Sequence, residues 1–159
     1  MKYRVVLSLL CLVAAPALGA PTDDALAHSK AFERAVNARD TQAVLALYAT
    51  DAQVVWPGQG EEANGKAALE QLVANFVKQL PKDAKITLKS QKAIPLGGGY
   101  IATVGHWTES FTDADGKQQS VDVRTTEIIK VHKGKTLYVV DHASIGLPPQ
   151  PATPPQPGT

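Results

Sequence analysis

The chain has 159 residues, 44% of them apolar, with sixteen Lys/Arg against fifteen Asp/Glu and a formal charge of +1. That balance excludes a basic nucleic-acid footprint and a strongly charged membrane-binding surface. A single cysteine, Cys11, excludes a disulfide scaffold.

The first nineteen residues read as a leader. Lys2 and Arg4 precede an apolar run from Val5 to Leu18, broken by Ser8 and Pro16, and small Ala17, Gly19 and Ala20 follow. This is the layout of a cleaved secretory signal, and a cut after Gly19 leaves Ala17 at the third position upstream. The run is too short to span a bilayer, which takes ~20 apolar residues. Leu10 is bulky where lipid attachment to Cys11 would want a small residue. Removing residues 1–19 takes away Lys2, Arg4 and Cys11, leaving fourteen Lys/Arg, fifteen acids and no thiol. The mature chain is then expected in the periplasm or outside the cell, free of the membrane, folding on packing alone.

Helices come next. Ala25, Ser29, Phe32 and Val36 share a helical face flanked by His28 and Ala35, after Thr22-Asp23-Asp24 as cap and acidic first turn. Asn37 to Asp40 breaks this helix, and a second is expected from Thr41 to Tyr48, with a brief strand from Asp51 to Trp56 ended by Pro57-Gly58. A loop through Gly60 leads to a third helix capped by Asn64. Its apolar residues Leu69, Leu72, Val73, Phe76, Val77 and Leu80 keep helical spacing until Pro81. Burying six such side chains at about 1.5–3 kcal/mol each is a strong reason for it to lie against a sheet.

The remainder is a meander. Ile86 and Leu88 alternate with Lys85, Thr87 and Lys89, and Gly97-Gly98-Gly99 turns the chain. Long strands, Tyr100 to Thr112 and Lys117 to His132, are joined by Asp113-Ala114-Asp115-Gly116, with Gly105 a candidate bend or bulge. Lys133-Gly134-Lys135 turns into a last strand ending in Asp141-His142-Ala143-Ser144. From Gly146 onward, six prolines in fourteen residues predict an extended, solvated tail. The expected organisation is a signal peptide 1–19, one domain 20–147 and a Pro-rich tail 148–159.

This order resembles the nuclear transport factor 2-like superfamily, in particular its polyketide-cyclase-like and ketosteroid-isomerase-like branches. The resemblance covers about residues 25–145 and is carried by Phe32 to Asp40, Leu47 to Ala52, Pro57-Gly58, Gly65 to Leu69, Arg124-Thr125-Thr126 and Asp141 to Ser144. It implies an α+β fold, a cone-shaped curved antiparallel sheet wrapped around three N-terminal helices (a cystatin-like roll). A pocket at the open end and a homodimer across the sheet are also implied. It says little about activity, because such folds host isomerases, cyclases, dehydratases and assembly domains.

Register decides which side chains share the pocket. If Thr112 faces Lys117, then Trp107 pairs with Asp122, Gly105 with Arg124 and Thr103 with Thr126, on one face with Ile101, Glu109 and Ile128. Ala102, Val104, His106, Val121, Val123 and Ile129 take the other. A three-residue loop Lys133-Gly134-Lys135 then sets Thr126 against His142 and Arg124 against Ser144; a two-residue loop moves His142 to the opposite face. Under the first arrangement Arg124, Thr126 and Ser144 bind ligand, with Gly105 leaving room for the guanidinium. His142 is either an ordinary strand-end histidine, a binding group or an acid–base catalyst. Asp141 and His142 are neighbours on one strand and point to opposite faces. Trp56 and Trp107 are core or ligand-stacking residues, and Tyr48 is core with its hydroxyl at the rim.

No His pair is spaced for one helix face, so no metal is expected, nor any cofactor; Gly-x-Ser-x-Gly is absent. Ketosteroid isomerisation needs a carboxylate base, a tyrosine and a protonated acid. That trio cannot be placed, since Asp122 is the only aspartate on the expected pocket face. Three readings stand: an exported homodimer binding a small apolar, carbonyl- or carboxylate-bearing molecule; an isomerase, cyclase or dehydratase using His142 for proton transfer and Arg124 to stabilise negative charge; and a non-catalytic assembly module.

Overall fold

A computed structural model describes residues 21–57 and 62–146. The expected signal peptide, the segment through Gly58 and Gly60, and the expected Pro-rich tail lie outside the described residues. Three helices precede most of a six-stranded sheet: α1 (Pro21–Asn37), α2 (Thr41–Leu45), β1 (Tyr48–Val55), β2 (Glu62–Asn64), α3 (Lys66–Gln79), β3 (Lys85–Gly97), β4 (Tyr100–Thr112), β5 (Gln118–His132) and β6 (Lys135–Ile145). The spatial order is β2-β1-β6-β5-β4-β3, antiparallel except where β1 runs parallel to β6. This is the expected α+β architecture, a curved sheet packed on N-terminal helices.

The helix faces fall where the apolar spacing put them. Ala25, Ser29 and Val36 of α1 and Leu69, Leu72 and Val73 of α3 are buried, and Phe32 packs against them. Boundaries differ at two places. Helix α2 stops at Leu45, and Tyr48 already belongs to β1, where it pairs with Tyr138. Asn64 is not the cap of α3: it sits in β2 with its amide oxygen accepting from Gln53 at 2.9 Å, and Gly65 at φ 81° occupies the cap position. No side chain caps that helix.

Polar residues of α1 close the open edge of the sheet. The Asn37 amide donates to Ile86 O and accepts from Ile86 N, both at 2.9 Å, while Glu33 accepts from Leu88 N at 3.0 Å. One turn earlier, the Ser29 hydroxyl accepts from the side-chain amide of Gln91 at 2.6 Å. Glu33 and Asn37, one turn apart, thereby satisfy backbone groups of an edge strand that would otherwise invite pairing with another chain, and Ser29 continues the row by holding a β3 side chain.

The β4–β5 hairpin is tighter than its sequence suggested. Asp113 N bonds Lys117 O at 2.9 Å, and Gly116 adopts φ 78°. The Asp113 carboxylate accepts from the amides of Asp115 and Lys117, which locks a three-residue loop. Thr112 therefore faces Gln118, Trp107 faces Val123, Gly105 faces Thr125 and Thr103 faces Glu127. Relative to the expected register β5 is shifted by one residue, so all its side chains exchange faces.

The β5–β6 turn differs too. His132 pairs with Lys135, and both Lys133 (φ 50°) and Gly134 (φ 75°) are left-handed, giving a two-residue loop of type I′ character. The ladder then skips a residue between the Ile129–Tyr138 and Ile128–Val140 pairs. Val139 is the extra residue of a bulge, and it restores the pairing of Thr126 with His142 and Arg124 with Ser144. Gly105 itself lies in an unbroken stretch of the β4–β5 ladder; the irregularities in β3 fall at Lys89, between Leu88 and Ser90, and at Leu96, between Pro95 and Gly97.

Candidate functional site

Between the sheet's inner face and the helices lies a cavity of about 170 Å³. Phe32 of α1 is central to it, with ring centroids 6.4 Å from Tyr48, 6.2 Å from Trp56, 5.9 Å from Trp107 and 6.2 Å from Tyr138, all edge-on. Phe76 of α3 meets Trp56 at 4.8 Å. Val121, Val123, Ala143 and Ile145 supply the aliphatic lining from β5 and β6. Such edge-to-face packing holds each ring in one orientation and gives the cavity a fixed shape.

Two acids lie within this apolar surround. Glu127 and Asp141 are directly opposed across β5 and β6, 3% and 4% exposed, and both line the cavity. Asp141 Oδ2 accepts from the Tyr48 hydroxyl at 2.6 Å and from the Trp56 indole N–H at 2.9 Å. Both bonds fall on one oxygen, which leaves Oδ1 for a proton or a ligand. Glu127 accepts from the Thr103 hydroxyl.

Desolvation drives the Glu127 carboxyl up to about 7, with the charge of Asp141 adding to the effect. Asp141 is raised by the same burial, against the pull of its two donors. Two like charges this close in a dry setting cannot both ionise cheaply, so at neutral pH the pair holds a proton. Glu109, at the partly buried end of the cavity on β4, is also raised by desolvation. Behind the pair, burial holds the Tyr48 and Tyr138 hydroxyls well above their usual range.

The residues singled out from sequence divide between the two faces. Trp56 and Trp107 line the cavity, and Tyr48 reaches Asp141 with a buried hydroxyl that stays clear of the rim. Arg124, Thr126, His142 and Ser144 do come together, but on the sheet's outer face, where the first three are exposed. The register shift of β5 is the reason. Gly105 does not make room for Arg124; a Cβ there would lie 2.5 Å from Thr125 Oγ1 and 2.9 Å from Trp107 Nε1, which are hydrogen-bonded to each other at 3.2 Å. The guanidinium of Arg124 instead lies over Gly146. Arg124 and Gly146 border a second, more open groove with Lys89, His106, Ser120 and Asp122.

The family pattern described as a SnoaL-like domain matches residues 29–139. The chain belongs to the SnoaL-like family. That span takes in the second half of α1, α2, α3, every strand up to the bulge, and Glu127; Asp141 lies just beyond its end. No curated protein matches the chain. Among solved structures, it is similar to a putative calcium/calmodulin-dependent protein kinase II association domain from Xanthomonas campestris (23% identity, 89% of this chain and 98% of that one, TM-score 0.69). An uncharacterised cystatin-like protein from Caulobacter vibrioides aligns at 21% identity over 79% and 89%, TM-score 0.66. A ketosteroid isomerase-like protein from Erwinia carotovora atroseptica aligns at 18% over 82% and 100%, TM-score 0.64. At these identities the SnoaL-like fold is what is shared, whereas the acid pair is read from this chain's own geometry.

Proposed function

We propose that this SnoaL-like domain binds a small, largely apolar molecule in its cone and holds the molecule's one polar group at the Glu127–Asp141 pair. The observation that carries the reading is the direct opposition of two buried carboxyls on the lining of an aromatic cavity. A packed core gains nothing from a buried acid pair, since desolvating each charge costs on the order of several kcal/mol. A ligand gives the pair a use. An NMR titration of the Trp56 and Trp107 indole signals with a fragment set tests this. Ligands are expected to shift both signals, and Ala143→Trp, which fills the cavity, is expected to abolish the response. Binding that survives the filling would locate the ligand elsewhere.

A catalytic reading rests on the same pair. A carboxyl held near neutrality beside a second one supplies a proton donor and an acceptor within reach of one substrate atom. Asp141 and Glu127 replace His142 in that role, and the reaction class would be proton transfer of the isomerase, cyclase or dehydratase kind. Abolition of any detected turnover by Asp141→Asn, with His142→Ala unaffected, supports it; the reverse pattern sinks it.

The domain is further proposed to act as an exported homodimer joined across the outer sheet face. Val55, Val104 and Val140 are each 40% exposed there, beside His142 and Thr126. Light scattering of the wild type and of Val140→Lys separates dimer from monomer, and N-terminal sequencing of the mature protein should begin at Ala20.

A further inference from the structure

The electrical character of the cavity narrows what can occupy it. Three carboxyls line it, Glu109 from β4, Glu127 from β5 and Asp141 from β6, and no Lys, Arg or His does so among the described residues. The other polar lining groups are the hydroxyls of Thr108, Thr125 and Tyr138. Phe32, Trp56, Phe76 and Trp107 form the aromatic part of the wall, beside the aliphatic lining from β5 and β6.

An anionic ligand would meet like charge with no cationic side chain in the lining, since Arg39 lies outside it and, of the three carboxyls, acts only on Glu109, in a setting too dry for water to screen the repulsion. A neutral ligand would leave the second carboxyl without a use. A cation meets acceptors on several sides, aromatic rings that attract positive charge, and the unoccupied Oδ1 of Asp141. Volume fits a small compound: about 170 Å³ compares with the ~150 Å³ engineered cavity that takes up benzene.

Resting on the reading of this cavity as a ligand site, we propose that its occupant is a small organic cation, a protonated amine on an apolar body. Its ammonium lies between Glu127 and Asp141, and its body lies against Trp56 and Trp107. The carboxylate-bearing ligand inferred from sequence depended on Arg124 facing inward, and that arginine is on the other side of the sheet. As the ammonium enters, the proton held by the acid pair leaves to solvent, so charge is conserved within the site. The groups around the pair permit this exchange. Tyr48 from β1 and Tyr138 from β6 stay neutral, and His28 of α1, stacked behind Tyr138, is held down to about 4 by burial. Glu109 faces the same space from β4, and His142 lies across β6 on the outer side.

Benzylamine, benzyl alcohol and benzoate differ in charge at nearly constant shape. Calorimetric titration of the folded domain with each, at pH 6.5 in two buffers of different ionisation heat, tests the inference. Benzylamine should bind at least tenfold more tightly than benzyl alcohol, release protons on binding, and tighten as the pH rises through 7. Benzoate should not saturate. Glu127→Gln should cost benzylamine at least tenfold and benzyl alcohol much less, so that the preference for the amine collapses; Glu109→Gln, at the better-hydrated end, should give a smaller loss in the same direction. Benzyl alcohol or benzoate binding as tightly as benzylamine would overturn the cation assignment while leaving the cavity as the site. Failure of all three, with the indole signals of Trp56 and Trp107 unmoved, would overturn the cavity reading as well.

Discussion

His28 of α1 lies against the ring of Tyr138, with centroids 4.3 Å apart and the planes inclined by 58°, and its Nε2 is buried without a hydrogen-bond partner. Burial lowers this imidazole to about 4, so the folded protein keeps it neutral where an unfolded chain protonates it near 6.5. Between those values the unfolded state binds the extra proton, and stability from His28 is lost as pH falls. Glu127 acts in the opposite direction. Its folded value of about 7 exceeds its usual 4.5, so the folded state holds the extra proton and stability falls as pH rises from 4.5 to 7, by on the order of 3 kcal/mol. The two slopes oppose each other from 4.5 to 6.5. Urea midpoints against pH should therefore rise toward neutrality in Glu127→Gln and fall in His28→Phe, with the wild type flatter than either. Parallel profiles for the two variants would contradict this account.

Tyr48→Phe removes one of the two donors on Asp141 Oδ2. A buried acceptor that loses a donor costs about 1–3 kcal/mol. Because the substitution matters only while Asp141 is ionised or seeking a donor, it should couple to Asp141→Asn. A double-mutant cycle by urea denaturation is expected to show an interaction of about 1 kcal/mol or more. Additive effects would mean that the 2.6 Å contact contributes little.

Gly105→Ala should destabilise by about 1–3 kcal/mol through crowding, since the new methyl falls within 3 Å of Thr125 Oγ1 and Trp107 Nε1. Thr125→Ala in the same chain removes the nearer obstacle and should recover part of the loss. Near-ultraviolet circular dichroism reports the accompanying shift of Trp107.

Asn37→Ala deletes both side-chain bonds to Ile86 and uncovers the β3 edge. The expected loss is about 1–3 kcal/mol, at about 0.5–1.5 per bond, with faster amide hydrogen exchange at Ile86. Exchange unchanged at that residue would show that the α1 clamp is dispensable.

Arg124→Ala and His142→Ala should leave cavity binding within about twofold of wild type, because both side chains project from the opposite side of the sheet. Calorimetry with any cavity ligand checks this.

How much of this was legible from sequence depends on the strand. Helical spacing in α1 and α3 located the buried faces, and the Gly97-Gly98-Gly99, Asp-Gly and Lys-Gly signals located the three hairpins from β3 to β6. On β4 the inner set Ile101, Thr103, Gly105, Trp107 and Glu109 was also readable. On β5 the reading failed by one residue, because the Asp113 carboxylate draws the loop tighter than its four turn-forming residues suggest. Apolar parity held the corrective: Val121, Val123, Ile129 and Val131 are all odd-numbered, and the inward set is odd. Following that alternation would have placed Glu127 inside, as an acid interrupting a core stripe. Asp141 was less accessible, since its inward aim depends on the bulge at Val139, and nothing in the local residue types announces that extra residue.

The place of β6 in the sheet has a consequence for how the domain comes together. It is the last strand in the chain, yet it lies third in the sheet, holding β1 on one side and β5 on the other. Until it inserts, the N-terminal half and the long hairpins share no backbone ladder, and the acceptor for Tyr48 and Trp56 has not arrived. Such distant pairings close slowly, so a nascent chain stays open until nearly all of it has been synthesised. For the export proposed above, that delay would be an advantage: the polypeptide would remain threadable until its final strand emerged on the far side.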